Sequence, residues 1–124
     1  MKELIEKENI HLLYLKALSH FNNYQINAAF KICLKIMEKN YFHFDNLLIY
    51  TEILVEKKMI GDLFTCSTNM AENYPNHYMT FHIFGMYYFL LKKFDNSRKY
   101  FNKAIQMNKN SLKSWILLGH SFAN

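Results

Sequence analysis

The 124 residues are 51% hydrophobic and 17% aromatic, enough to bury one modest core and too apolar for a disordered chain. Three glycines and one proline leave little material for strands and tight turns, so the composition favours an all-helical chain. The net charge of +5 raises the question of nucleic acid, but Arg98 is the only arginine and the lysines scatter apart from Lys57–Lys58 and Lys92–Lys93, which argues for a solvated surface and no nucleic-acid partner. Cys33 and Cys66 stand apart without C-x-x-C spacing, as in a reducing cytosol or nucleus. The opening nine residues are too charged for a signal peptide, and the longest apolar run, Ile83–Leu91, is too short for a membrane span. A soluble, non-secreted protein is expected, with no membrane partner.

In chain order, the first helix is expected over 3–21, with Leu13 and Ala17 facing inward and Leu4 and Ile5 extending that face backward. A second follows over 25–38 on Ala29, Cys33 and Ile36, and a third over 44–57 on Leu47, Tyr50, Thr51 and Leu54. Gly61-Asp62 breaks the frame before a fourth, over 61–73, with Asp62 as its N-cap and Pro75 ending it. The fifth, over 77–90, carries Phe81, Phe84, Gly85 and Tyr88 as a core stripe. The sixth, over 94–107, carries Ser97, Phe101 and Ala104. A seventh, over 112–123, is apolar nearly all round and reads as an interior helix of a longer array whose exposed face favours self-association.

Phe81, Phe84, Gly85 and Tyr88 recur 34 residues later as Trp115, Leu118, Gly119 and Phe122. The offsets form one helix face, and the glycine leaves room for a neighbouring helix. That period and signature belong to the tetratricopeptide repeat, a helix–turn–helix unit. The expected fold is an all-α tetratricopeptide superhelix of antiparallel helix pairs, about three and a half repeats and seven helices in one domain, 1–124. Its frames run 10–43 (degenerate), 44–77, 78–111 (the clearest) and 112–124 (one helix of an incomplete repeat).

No catalytic constellation emerges, and no enzyme, cofactor, metal site or small-molecule substrate is expected. The histidines lack a metal-binding spacing, there is no glycine-rich phosphate loop, and Cys33 falls at a buried packing position. The functional surface of such an array is a concave groove lined by the first helix of each repeat. Its protein-binding residues are expected to be Tyr14, Leu18, Phe21, Leu48, Glu52, Val55, Met79, His82, Met86, Phe89, Ile116 and His120. For His120, a hydrogen bond to the neighbouring repeat is favoured over a groove contact. A carboxylate clamp for chaperone tails would need lysine and asparagine where Tyr14 and Leu18, Leu48 and Glu52, or His82 and Met86 stand; the clamp is absent.

Tyr74-Pro-Asn, FGMYYF at 84–89, SRKYFNKA at 97–104 and SWILLGHSFA at 114–123 give the chain a more specific likeness. It resembles the cell division cycle protein 16 family, tetratricopeptide subunits of the anaphase-promoting complex, strongly over 74–123 and more loosely over 20–73. Phe81 stands where the family has tryptophan. The resemblance implies a non-enzymatic scaffold within a nuclear ubiquitin ligase that controls mitotic exit, found in nucleus and cytoplasm. It also implies other subunits of that complex as partners, and homodimerisation. The rivals are a sister subunit, a stand-alone adaptor that binds a peptide or helix in its groove, and an RNA-binding helical repeat, which the lone arginine disfavours.

Overall fold

A computed structural model describes residues 2–109 together with Ile116, Leu117 and Gly119; of Glu6 only the backbone is described. The described helices are α1 (Lys2–Asn22), α2 (Ile26–Lys39), α3 (Phe44–Glu56), α4 (Ile60–Asn73), α5 (Tyr78–Leu90) and α6 (Phe94–Met107). Each lies within about a residue of its expected span, and no strand occurs among the described residues. Ile116, Leu117 and Gly119 are helical; the rest of the expected seventh helix lies outside the described residues.

The 34-residue period is written into the backbone. Helices α2, α4 and α6 start at 26, 60 and 94, and α3 and α5 at 44 and 78. The turns ahead of α2, α4 and α6 contain Tyr24, Lys58 and Lys92, whose φ angles of 61°, 57° and 63° are left-handed. Around each residue the same two bonds close the preceding helix. Gln25, Met59 and Lys93 donate their N–H to the carbonyls of His20, Leu54 and Tyr88 at 2.8–2.9 Å, and Tyr24, Lys58 and Lys92 donate to Phe21, Val55 and Phe89 at 3.0–3.1 Å. These are Schellman closures, which satisfy carbonyls that the helix end leaves open. The carbonyls of Gln25, Met59 and Lys93 then accept from Ala29, Leu63 and Ser97, so one residue ends one helix and starts the next. The N-cap of α4 is therefore Met59, without a side-chain bond; Asp62, expected at the cap, lies in the first turn, where its charge still favours the helix dipole.

The helices gather into two compact units, Met1–Ile53 and Leu54–Asn124, the division falling within α3. In the first, α1 packs on α2. Ala17, Ala29, Cys33, Ile36 and Leu47 are fully buried, and Phe30 stacks on Tyr50 with centroids 6.0 Å apart. Asn46, buried on α3, donates Nδ2–H to the Cys33 carbonyl at 3.2 Å and ties α3 to α2. Leu4 and Ile5, expected to continue the inward face of α1, are instead 64% and 54% exposed. Together with Leu12 and Leu15 they form an outward apolar row. The reason is angular: at 100° per residue the row of four centres on a direction roughly opposite Leu13 and Ala17.

In the second unit α5 lies between α4 and α6, touching both. Helix α5 contains no Asp, Glu, Lys or Arg, and an element apolar on every side is stable when surrounded. Gly85 meets the fully buried Phe101 so closely that a Cβ there would lie 2.6 Å from ring atoms Cδ1 and Cε1. The Ser97 hydroxyl donates to the Gly85 carbonyl at 2.9 Å, fixing α6 to the same point of α5. Phe81, Phe84 and Tyr88, expected as core, are half-buried and ring Tyr100, whose centroid lies 6.4, 5.4 and 5.3 Å from theirs. The deeper core on this side is Phe101 with Ile83.

Two stability outcomes follow from these contacts. Glycine at the left-handed Tyr24, which is 88% exposed, or at Lys58 removes a Cβ–carbonyl clash worth roughly 1 kcal/mol, so each variant is expected to melt at higher temperature. Gly85→Ala gains about 1 kcal/mol of helix propensity but overpacks against Phe101, a penalty of about 1–3 kcal/mol, so net destabilisation in urea is expected. Gly61→Ala, with open space around its Cβ, is expected to stabilise and serves as the control.

Candidate protein-binding surface

The first helix of each repeat carries its candidate residues at helical spacing, so each set forms one face. In the first unit Tyr14, Leu18 and Phe21 are half-buried on α1, and Leu48 and Glu52 are half-buried on α3. The structure brings Tyr14 against the start of α3, its ring 5.4 Å from that of His43. Burial pushes the Tyr14 phenol above its ordinary range, with Asp45 and then Cys33 adding to the effect. Exposed His11 and Asp45 flank the same region.

In the second unit Val55 and Phe89 are half-buried. Met79, His82 and Met86 are each only 1% exposed, which corrects their reading as groove lining. Because α5 is flanked by α4 and α6, these three side chains serve as packing; His82 sits 5.7 Å from the buried Phe101 ring. Methionine's adaptable shape fills the interior here. Ile116 is 50% exposed, and His120 lies outside the described residues.

Sequence reasoning missed two surfaces. The outward row of α1 includes a shallow depression of about 420 Å³ lined by Leu4, Lys7, Glu8, His11 and Leu12. Its signal was the recurrence of leucine at 4, 12 and 15, hidden because α1 also has apolar residues on its packed side. The second, about 340 Å³, is lined by Phe81, Tyr88, Asn96, Lys99, Tyr100 and Lys103, with Lys103 Nζ 6.0 Å from the Phe81 centroid. It presents aromatic faces beside mobile cations, a mixture suited to protein contact.

Among the described residues no group of three or more His, Cys, Asp or Glu could hold a metal ion, and no helix is long and apolar enough to cross a membrane. Arg98 forms a local ion pair with Asp95 on α6. Cys33 and Cys66 are buried and not disulfide-bonded, and burial pushes the Cys33 thiol up to about 12. Since the thiolate is the reactive form, Cys33 is expected to resist alkylation at about pH 8 in the folded chain and to react once denatured, as read by mass spectrometry.

No protein-family model matches the chain. Among curated proteins, it is 30% identical over 118 residues to the cell division cycle protein 16 homologs of mouse and human, covering 94% of this chain and 19% of theirs. It is 27% identical over 115 residues to anaphase-promoting complex subunit 6 of Arabidopsis thaliana, covering 93% of this chain and 21% of that one. The chain thus spans about a fifth of the length of these relatives. Among solved structures, the Cut9–Hcn1 hetero-tetramer of the anaphase-promoting complex contains a chain that superposes with a TM-score of 0.86 at 28% identity, over 90% of this chain and 22% of that one. The first tetratricopeptide domain of human RPAP3 superposes at 0.72 with 12% identity, over 92% and 90%, which supports the fold alone. The chain has an all-α tetratricopeptide-repeat fold and, across 94% of its length, is similar to the cell division cycle protein 16 homologs of mouse and human, of which it spans 19%.

Proposed function

We propose that the chain is a segment of a non-catalytic scaffold subunit of the anaphase-promoting complex, a ubiquitin ligase, holding neighbouring subunits in place and pairing with a second copy of itself in nucleus and cytoplasm. One observation carries this reading: sequence and structure point to the same subunit family over nearly the same residues, at 30% identity and a TM-score of 0.86. Repeat helices stacked in register supply extended surface without a reaction centre, which is what a scaffold requires. The outward row of Leu4, Ile5, Leu12 and Leu15 supports pairing, since an exposed apolar row of this kind is normally covered. The solved relative is itself a hetero-tetramer. Its second copy would cover α1.

A second reading, a stand-alone adaptor for a peptide or helix, draws on the half-buried rows Tyr14, Leu18, Phe21 and Leu48, Glu52. Affinity purification of the tagged full-length protein from its own cells, with mass spectrometry of what accompanies it, separates the two. Recovery of further tetratricopeptide subunits together with a cullin-like or RING subunit is the expected result. Recovery of a single unrelated client would replace the scaffold reading with the adaptor.

A further inference from the structure

Two histidines 34 residues apart precede two of the repeat-opening helices, α3 and α5: His43 before Phe44 and His77 before Tyr78. Each ring uses Nδ1 to accept a main-chain N–H of the first turn. The Asn46 N–H reaches His43 at 3.2 Å, and the Met79 N–H reaches His77 at 3.1 Å. First-turn N–H groups have no partner within their own helix, so the imidazole occupies the place usually taken by a serine or aspartate oxygen. Nδ1 can accept only while the ring is neutral and carries its proton on Nε2. A second proton turns the acceptor into a donor and sets a cation against the positive end of the helix dipole.

We propose that His77 is a titratable cap that holds the first turn of α5 closed when neutral and releases it when protonated, while His43 caps α3 by the same geometry. The caps of α2, α4 and α6, at Gln25, Met59 and Lys93, make no side-chain cap bond, so among these helices the device belongs to the repeat-opening ones. Ring packing holds each imidazole in its capping orientation. Tyr14, from α1, lies 5.4 Å from His43, while Tyr78 lies 4.8 Å and Tyr74 6.2 Å from His77. Titratable groups that face the rings include Tyr14 at His43 and Tyr74 and Tyr78 at His77, with Asp45 two residues beyond His43 in the same turn. Desolvation of the cation holds His77 below its ordinary value of 6.5. The folded chain therefore binds that proton more weakly than the unfolded chain does. The stabilising contribution of His77 is complete above 6.5 and drains away as pH falls below it.

The test is nitrogen-15 NMR of the whole chain, titrated from about pH 7.5 to about pH 5.5, with amide exchange read at Met79. The expected result is a neutral His77 ring protonated on Nε2. Exchange of this amide, corrected for intrinsic rate, should speed up about fivefold as the ring charges, the equivalent of one lost cap. His77→Asn keeps an acceptor that does not titrate and should abolish the pH response at α5. A neutral ring protonated on Nδ1, or an unchanged pH response in the His77→Asn variant, would overturn the proposal.

Discussion

The chain reversal at Tyr24, Lys58 and Lys92 is the constraint on which the rest of this structure depends. Each of the three residues takes a left-handed backbone that a side chain disfavours by roughly 1–2 kcal/mol. Two hydrogen bonds of the same pattern close each turn, and the residue that follows opens the next helix. The pairing of α5 with α6 brings Gly85 onto Phe101 because the turn returns the chain after a fixed number of residues. An insertion there would rotate every inward side chain of the following helix off its face.

Close approach of α6 to α5, where Gly85 meets Phe101, is the second requirement, and the 34-residue register puts other small residues at the equivalent positions. The register of Gly85 holds Ala17 in the first repeat and Thr51 in the second, both fully buried. The register of Phe101 holds Cys33 and Ser67, also fully buried. A glycine opposite a phenylalanine, or an alanine in the register opposite a cysteine, keeps the local volume within what close packing allows. The buried hydroxyls carry their own solution: Thr51 donates to Leu47 and Ser67 to Leu63, each at 2.8 Å on its own helix. These two hydroxyls therefore enter the core without an unsatisfied donor.

Much of this was legible in the sequence, because spacing alone marks small residues between large ones. Ala17, Ala29, Cys33, Ile36, Leu47, Ser97, Phe101 and Ala104 were expected inside and are buried. What spacing cannot mark is the facing of a helix that is apolar all round. Helix α5 gave no polar side by which to orient Met79, His82 and Met86, so a rule for groove positions placed them outward when two neighbouring helices enclose them. Leu4 and Ile5 erred the other way, on a helix whose apolar residues are divided between two sides. The left-handed turns were hidden because Tyr24, Lys58 and Lys92 are not glycine, and the caps because histidine is an uncommon capping residue. Of the candidate surface, α1 and α3 retain partly accessible rows within the first unit, and α5 contributes only Phe89.

Helices returned at a fixed interval expose a surface whose chemistry changes while its geometry repeats, and that is the physical basis for reading the chain as a scaffold. The account stands on the recurrence of one backbone geometry at 24, 58 and 92. The most direct measurement is therefore the backbone conformation at these three residues in solution, from Cα shifts and the intraresidue amide–Hα couplings and cross-relaxation. Left-handed values at all three are predicted. A right-handed helical value at any one would mean a helix running through the turn, and would contradict the repeat register from which fold, packing and proposed function were built.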